Sequence, residues 1–488
     1  MSGKVTSIQV RMYNTGSVGD CILLIFKKGN AQTFSMLIDC GGIKTSNAAV
    51  APCVNDIKAA CNDSLDLLIV THEHEDHISG FNLARDLFDT IQVKQTWMSW
   101  VEDKTDPVAI IFKEKYGKEL NALKKSALSS IKELKAFTTH SSNVKGFKEA
   151  HAQRYQSMKQ TLSLLEFEEG LSHGTGLTKG RKTNNDAMEY VRGKGAKLSY
   201  KRPGEVIKNL PGAEGIKFYI LGPPRDNDLE FMKIDMDEDE MYKLALSYAG
   251  NSAAARKKVF DYGISLKSKT SPFGEEYLMN ENEKKNFMKE YNSADYKWRQ
   301  IESDWKDNES ALALRLTKLT NNTSLAMALE FEDSGQVILL PADAQSGNWM
   351  SWHKPEVSNS LKSKGGKNTK ELLENTVFYK VGHHGSHNGT ASVSGLDMIT
   401  SKNVVAFMPL IKDKVPYAWD KQGDNFPAGR LYEVLIEKTK GRLVRIDEGL
   451  VSDDNAVQLR KSLSGDEKQE LKQNFKTGSC YFEYTIKG

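Results

Sequence analysis

Six of the ten histidines in this 488-residue chain fall in two short segments, residues 72–77 and 383–387. The first segment directly follows the largely apolar run 65–70, whose length and composition predict a buried strand. The ligand-type side chains of this segment are His72, His74, Asp76 and His77. A strand that ends in such a cluster constrains the fold, because it must deliver several polar side chains to one place.

The spacing of this first segment predicts a metal site. Residues two apart in an extended segment face the same side, so His72 and His74 can bind one ion. Asp76 and His77 enter the following turn and can point to a second ion nearby. Imidazole and carboxylate ligands without a thiolate suit Zn²⁺, Mn²⁺ or Fe²⁺. The alternative, a polar loop with incidental histidines, is disfavoured by this spacing directly after an apolar strand.

The composition is that of an ordinary globular protein. A formal charge of +3 with 27% charged residues gives no case for a protein that coats nucleic acid or an acidic membrane. The apolar runs are strand-sized, which predicts a chain without a membrane span, and the first residues lack the apolar core of a signal peptide. Five cysteines without a CxxC pair predict free thiols and a cytoplasmic location.

Strand and helix signals alternate in blocks along the chain, which predicts an α/β fold. Short apolar runs typical of strands occur in the first hundred residues, in 198–223 and from 323 onward. Residues 105–172 and 226–316 instead have helical periodicity and many charged side chains. We therefore predict five segments: 1–104 (first half of the core), 105–197 (helical insertion), 198–225 (core strands), 226–318 (second helical, charged insertion) and 319–488 (second half of the core).

Six motifs follow one another along the chain. They are Gly16-Ser17-Val18-Gly19-Asp20, Leu37-Ile38-Asp39-Cys40-Gly41-Gly42, His72-Glu73-His74-Glu75-Asp76-His77, Asn321-Asn322-Thr323-Ser324-Leu325, Leu339-Leu340-Pro341-Ala342-Asp343-Ala344 and Lys380-Val381-Gly382-His383-His384-Gly385-Ser386. Together they resemble the ComEC-like (competence-protein metallo-hydrolase) branch of the metallo-β-lactamase superfamily. Ser17 and Ala342 stand where that branch has glycine. The resemblance does not extend to either of the two predicted helical insertions.

This resemblance implies a fold and a set of metal ligands. The fold would be an αββα sandwich with two helical insertions, and the site would lie at one edge, where strand-end loops meet. Asp343 would bridge two ions, and His383 would be the last ligand. The implied ligand set is His72, His74, Asp76, His77, Asp343 and His383. His384 could replace His383 as the ligand, or could donate to substrate oxygens.

The same motifs imply supporting roles for other residues. Asp39 would orient a ligand imidazole or the ligand loop, and Asp20 would shape the same rim. Asn322, Ser324 and Ser386 would contact the substrate. Besides serving as a ligand, Asp76 would orient the attacking water.

One expected ligand has no counterpart in the sequence. Most members of the superfamily supply another histidine between the first motif and the bridging aspartate. The histidines in that interval, His140, His151 and His173, lie in the first predicted insertion and follow no recognisable core strand. We therefore expect none of them to be a ligand, and the ion bound by His72 and His74 would keep an open coordination position.

The implied chemistry is hydrolysis by a hydroxide held between two divalent ions (Zn²⁺ or Mn²⁺) roughly 3.5–4 Å apart. The resemblance favours a phosphodiesterase or nuclease, because an aspartate at position 343 is a feature of branches other than the one that hydrolyses β-lactams. The substrate would then be a phosphodiester, possibly a nucleic acid. A lactonase or other ester hydrolase of the same fold is the first alternative. A non-catalytic scaffold, with a protein partner bound through the helical insertions, is the second.

Overall fold

The computed structural model describes residues 3–138, 145–169, 182–225, 316–416 and 426–488, together with positions 285, 289 and 313. The chain divides into two compact units. The first comprises Met1–Ser126, Leu162–Lys243 and Ala313–Gly488, and the second comprises Ala127–Thr161 and Leu244–Leu312. The described residues of the second unit are helical. Most of the second predicted insertion, 226–318, lies outside the described residues.

The described strands belong to the first unit and confirm the predicted α/β class. They are β1 (Ser7–Tyr13), β2 (Ile22–Lys28), β3 (Ala31–Ile38), β4 (Ser64–Val70), β5 (Gln92–Ser99), β6 (Gly195–Lys201), β7 (Val206–Ile207), β8 (Ile216–Ile220), β9 (Met327–Phe331), β10 (Val337–Leu340), β11 (Thr376–Lys380), β12 (Val405–Met408), β13 (Leu443–Arg445), β14 (Gly449–Leu450), β15 (Phe475–Thr477) and β16 (Tyr481–Lys487).

These strands form two mixed sheets of eight strands each. The strand order is β15-β16-β1-β2-β3-β4-β5-β6 in the first sheet and β14-β13-β12-β11-β10-β9-β8-β7 in the second. Strands β3 to β6 are parallel in the first sheet, and β10 to β13 are parallel in the second. The described helices are α1 (Asn47–Ala60), α2 (Glu75–Leu83), α3 (Arg85–Asp89), α4 (Pro107–Thr138), α5 (Lys145–Glu169), α6 (Asn184–Lys194), α7 (Ser346–Trp352), α8 (Pro355–Ser363), α9 (Thr369–Glu374), α10 (Gly429–Lys438), α11 (Asp454–Ser462) and α12 (Gly465–Asn474).

The two sheets share one apolar core. The period of two along β4 places Leu67 and Ile69 in this core, where they meet residues of the second sheet. Direct contact between the sheets is seen at Phe218 of β8, whose ring centroid lies 5.8 Å from that of Trp97 in β5. The alternate residues Leu68 and Val70 face the other way. Each face of this strand is therefore buried, which explains its nearly continuous apolar sequence.

Helices cover the outer face of each sheet. On the first sheet, the outward residues of β4 pack with Val54 of α1 and Phe81 of α2. On the second sheet, the outer cluster includes Trp349 and Trp352 of α7 together with Leu435 of α10. Within the described residues, no helix combines the length and apolar character needed to cross a bilayer.

Parallel pairing brings the motif-bearing loops to the ends of neighbouring strands. Strands β3 and β4 are parallel neighbours, and Asp39 follows the first while Thr71 follows the second. Strands β10 and β11 are also parallel neighbours, and they lead into Asp343 and His383. The carboxyl ends of parallel strands meet at one edge of a sheet, so each pair of motifs is brought together.

Asp106, the residue directly before helix α4, has a buried carboxylate. Its Oδ1 accepts hydrogen bonds from the backbone N–H groups of Val108 (2.9 Å) and Ala109 (3.3 Å). Its Oδ2 accepts from the guanidinium groups of Arg202 (3.1 Å) and Arg225 (2.6 Å). Burial alone would raise the pKa of this carboxyl, but the two arginines and the backbone donors lower it to about 2.

Asp106→Asn is expected to lower the free energy of unfolding by about 1–2 kcal/mol at neutral pH, because the arginines lose their counter-charge. A carboxyl with a lowered pKa in the folded chain stabilises the fold above its unfolded pKa of about 3.9. The difference in melting temperature between the two proteins should therefore narrow as the pH falls from 4 towards 2. Asp103→Asn, which alters a carboxylate bonded to Thr105 in the same turn, is the control. A difference that stays constant over this range would contradict the ionic origin.

Candidate metal centre

Backbone contacts among three loops fix the position of the first ligand segment. The N–H of Asp20 donates to the carbonyl oxygen of Asp76 (3.0 Å), and the N–H of Cys40 donates to that of His77 (2.8 Å). At Gly41 an added Cβ would lie 2.4 Å from the carbonyl carbon of Asp76, so this approach requires glycine. The first three sequence motifs therefore meet at the turn that begins α2.

A buried cluster of imidazole and carboxylate groups forms at this turn. Potential ligand atoms of Asp20, His77, Asp343 and His384 lie within 4.8 Å of one another, and all four residues are buried. The Nε2 atoms of His77 and His384 lie 3.2 and 3.3 Å from Asp343 Oδ2. Asp76 Oδ2 lies 2.9 Å from His384 Nε2. This cluster could hold a metal ion.

The outer nitrogen of each imidazole in the cluster is held by a hydrogen-bond acceptor. His77 Nδ1 donates to Asp39 Oδ2 (2.7 Å), and His384 Nδ1 donates to the carbonyl oxygen of Pro409 (3.0 Å). Asp39 is fixed in turn by the backbone N–H and the hydroxyl of Thr71, at 2.8 and 2.6 Å. A proton on each outer nitrogen leaves Nε2 of both rings as the atom available to a metal ion.

The inner atoms of the cluster are suited to a divalent cation. Among the described residues, Asp20 Oδ1 and Asp76 Oδ1 are buried without a hydrogen-bond partner, and His77 Nε2 lies near Asp343 Oδ2 without forming a hydrogen bond to it. Buried polar atoms without a partner are costly, so their presence at a cluster of ligand-type groups indicates a missing partner. Imidazole nitrogens with carboxylate oxygens match the preferences of Zn²⁺ and Mn²⁺. The residues of this cluster therefore fit a metal ion; His77 and Asp343 belong to the predicted ligand set, and Asp20 and His384 do not.

His72 and His74 form a second pair beside this cluster. His72 Nε2 lies 3.0 Å from His74 Nδ1, and both side chains are buried. Their outer nitrogens face other groups: His72 Nδ1 lies 3.1 Å from Thr71 Oγ1, and His74 Nε2 lies 2.9 Å from Glu168 Oε1. Two inward nitrogens this close require a proton or a cation between them. The predicted pairing of these two imidazoles is therefore present in the geometry.

The two adjacent histidines of the last motif point to different surroundings. His384, not His383, lies against the carboxylates of the cluster. The ring of His383 contacts amide side chains instead, with Nδ1 3.1 Å from Asn388 Oδ1 and Nε2 3.3 Å from Asn321 Nδ2. Burial lowers the pKa of His383 to about 4, so this imidazole is neutral. Of the two candidates left open by the sequence, the geometry favours His384 as the ligand.

Lys380 is a member of the cluster that the sequence motifs did not single out as functional. Its buried ammonium group lies 2.6 Å from Asp20 Oδ2 and 3.2 Å from Asp343 Oδ1. Burial would raise the pKa of Asp343, but His384, His77 and Lys380 hold it well below its usual range. Burial would likewise lower the pKa of His384, but Asp343 and Asp76 raise it to about 10. Asp343 is thus ionised, and Asp20 is paired with the ammonium group of Lys380.

The three residues predicted to contact substrate are buried and have internal partners. Asn322 Oδ1 accepts from the backbone N–H groups of Gln345 and Asn348, both at 3.1 Å. Ser324 Oγ accepts from the N–H of Asp343 (3.3 Å). In a separate contact, Ser386 Oγ donates to Asn388 Oδ1 (2.8 Å). These contacts position the loops that carry Asp343 and His383.

It stays a prediction that the three histidines between the first motif and Asp343 are not ligands. His140 and His173 lie outside the described residues, and His151 belongs to α5. Glu168, near the end of α5, is a residue of the predicted insertion that contacts His74 directly. No sequence signal distinguished it from Glu166 and Glu169 beside it in the same charged helix.

Neither a protein-family model nor a curated protein matches this chain in comparisons of sequence. The geometry of these residues and the resemblance of the six motifs are therefore what supports a metal site here.

Four residues of the centre have a backbone conformation that favours glycine. Asp39, Ala342, His383 and His384 have φ angles of 54°, 54°, 44° and 51°. Such conformations cost of order 1–2 kcal/mol for a residue with a side chain. Ala342 has no polar side chain to offset this cost, and it stands where the resembling motif has glycine.

Ala342→Gly is expected to raise the free energy of unfolding by up to about 1 kcal/mol, because the left-handed conformation is unstrained in glycine. Chemical or thermal unfolding of the metal-free chain measures this effect. Ala344→Gly is the matched control two residues along, at a position without a positive φ, and should be destabilising. Destabilisation of both variants to the same extent would show that strain at position 342 does not limit stability.

Proposed function

We propose that this chain is a metal-dependent hydrolase with a two-metal centre and a fold of the metallo-β-lactamase type. The observation that carries the proposal is the arrangement of the four imidazoles. Each has one ring nitrogen directed to an acceptor outside the centre and the other directed inward. The residues are His72, His74, His77 and His384. Imidazoles that are held through one ring nitrogen have the other nitrogen oriented to bind a cation, which is the usual arrangement at metal sites.

The fold supports the same proposal. Two sheets that share a core, with helices on both outer faces, agree with the αββα sandwich implied by the motifs. The ligands come from loops that follow β4, β10 and β11, which agrees with a site at the edge of such a sandwich. The resemblance of the six sequence motifs is independent of these structural features, because it depends only on the residues of the motifs and on their order along the chain.

The ligands divide into two groups. Asp76, His77 and His384 would hold one ion, and His72 with His74 would hold the other. Asp343, which contacts the first group, is the candidate bridge between them. Two divalent cations in such a centre lower the pKa of a water molecule and neutralise charge that develops on a phosphoryl or carbonyl oxygen.

The protein's own residues supply orientation and a contact for the substrate. Asp76 Oδ1, which has no partner among the described residues, is free to accept a hydrogen bond from water. His383 is 9% exposed, against 0% for His384, and is the more accessible of the two. Nε2 of its neutral imidazole accepts from Asn321 Nδ2, and the second hydrogen of this amide can donate to a substrate oxygen next to the ligands. We therefore assign His383 to substrate binding and His384 to the metal ion.

A phosphodiester is the preferred substrate class, because the ComEC-like branch that the motifs resemble is associated with nucleases and phosphocholine esterases. An uncharged lactone or ester is the second candidate, favoured by aromatic rings beside the centre. Phe167 lies 4.8 Å from His74 and Phe426 lies 6.0 Å from His383, measured between ring centroids. An apolar acyl group would pack against such rings.

The chain stripped with chelator and reloaded with Zn²⁺ or Mn²⁺ is expected to hydrolyse a phosphodiester such as bis(4-nitrophenyl) phosphate, or to nick DNA. His384→Ala should lose metal and activity together. His383→Ala should keep its metal and lose turnover by about 10- to 100-fold, because the amide of Asn321, which donates to His383 Nε2, would lose its fixed position next to the ligands. Metal analysis and steady-state kinetics on the three proteins measure both effects.

Three outcomes would contradict parts of this proposal. Equal metal content in the two histidine variants would reverse the assignment of ligand and substrate contact. Faster hydrolysis of a lactone than of a phosphodiester, measured side by side, would favour the second substrate class. Two bound ions without turnover of either class would favour a non-catalytic scaffold.

A further inference from the structure

We propose that Glu168, a residue of the first predicted insertion, is a positioning residue that completes the metal subsite of His72 and His74. The inference deepens the proposed function and rests on it. Glu168 lies near the end of α5, 94 residues from His74 along the chain, and sits outside every motif that carries the resemblance. If it orients His74, the insertion forms part of the catalytic centre.

The contact between the two residues is direct and fully enclosed. Glu168 Oε1 lies 2.9 Å from His74 Nε2, and both side chains are 1% exposed. An ionised carboxylate only accepts hydrogen bonds, so the proton of His74 is on Nε2. His74 Nδ1 faces the other way and lies 3.0 Å from His72 Nε2. Glu168 thereby directs Nδ1 of His74 towards the position where a cation would also contact His72 Nε2.

Glu168 is itself held in place from several sides. Its Oε2 accepts from the hydroxyls of Tyr116 in α4 and Thr320. Its backbone carbonyl accepts from Asn184 Nδ2 (3.2 Å), which also binds the carbonyl of Phe167. A carboxylate with this many fixed partners has little freedom to turn away, so it can hold an imidazole in one orientation.

A carboxylate also holds the imidazole of His77 through its outer nitrogen. His77 donates through Nδ1 to Asp39 at 2.7 Å and is left with Nε2 directed inward. Glu168 has the equivalent relation to His74, at 2.9 Å and through the opposite ring nitrogen. Asp39 belongs to a core motif, whereas Glu168 belongs to the insertion. An acceptor atom at this position fixes the orientation and the tautomer of the ligand imidazole.

The geometry separates this role from direct ligation. The two nitrogens of an imidazole point in diverging directions, and Glu168 contacts the one that faces away from His72. A ligand role would need the negative charge of the carboxylate, whereas a positioning role needs an acceptor atom at this distance from His74. Substitutions that keep one property and remove the other therefore distinguish the two.

The experiment measures zinc stoichiometry and the affinity of the weaker zinc ion in the full-length chain. Glu168→Gln keeps an acceptor oxygen at the same reach, and its amide can donate to Tyr116 or Thr320. Glu168→Asp keeps the charge but withdraws it by about 1.5 Å, and Glu168→Met keeps the volume without an acceptor. Glu169→Gln, a change at the neighbouring residue that pairs with Lys124, is the matched control.

We expect the glutamine variant and the Glu169 control to bind two zinc ions like the unaltered chain. In the aspartate and methionine variants the dissociation constant of the weaker ion should rise by about 10- to 100-fold. The visible absorption of the cobalt-loaded proteins should change in the same two variants, which a purely structural role would not produce. Should the methionine variant not fold, the aspartate and glutamine variants make the same comparison.

Loss of the second ion in the glutamine variant would overturn positioning in favour of direct ligation. Two equally tight ions in the aspartate and methionine variants would overturn the inference and leave the two-metal function standing. Fewer than two ions in the unaltered chain would overturn the two-metal function, and this inference with it. Metal analysis of the unaltered chain thus separates the two failures before any variant is made.

Discussion

The burial of several charged groups at one place is the constraint on which the rest of this centre depends. Asp76 and Asp343 are each 1% exposed and lie against the same imidazole, that of His384. Carboxylates removed from water in this way are tolerated only when cations lie beside them. In the metal-free chain those cations are the protonated His77 and His384, together with Lys380. A divalent ion could replace the protons but not the lysine, which pairs with Oδ2 of Asp20 and leaves Oδ1 without a hydrogen-bond partner among the described residues.

Holding these charges together imposes strain on the loops that carry them. The left-handed conformations of Asp39, Ala342, His383 and His384 fall within the loops that follow β3, β10 and β11. Strain of this kind persists only where surrounding contacts over-determine the backbone. The approach of Gly41 to the turn at Asp76 is one such contact. The close packing of three loops therefore serves the electrostatic arrangement, since it prevents the acids from moving apart.

The features that could be predicted from sequence are those set by local spacing. The strand before His72 has a length and a pattern that define its burial, and the alternation of His72 and His74 survives in the structure as a pair 3.0 Å apart. The choice between His383 and His384 could not be made in this way. Both have positive φ, so no helical or strand period says which ring faces the carboxylates. Lys380 ends an apolar strand, and only the loops packed around its ammonium group make it a partner of Asp20.

The predicted insertion is the part whose role was least visible in the sequence, and its contacts place it beside the ligand segment itself. Lys113 of α4 pairs with Glu73 at 2.8 Å, between His72 and His74 in the chain. Two residues of α5, Phe167 and Glu168, contact the imidazole of His74. These helices close over one half of the centre, whereas His383 in the other half keeps 9% of its surface exposed. The described part of the insertion therefore contributes side chains to the surroundings of His72 and His74, whereas the surroundings of His383 and His384 come from the core segments of the chain.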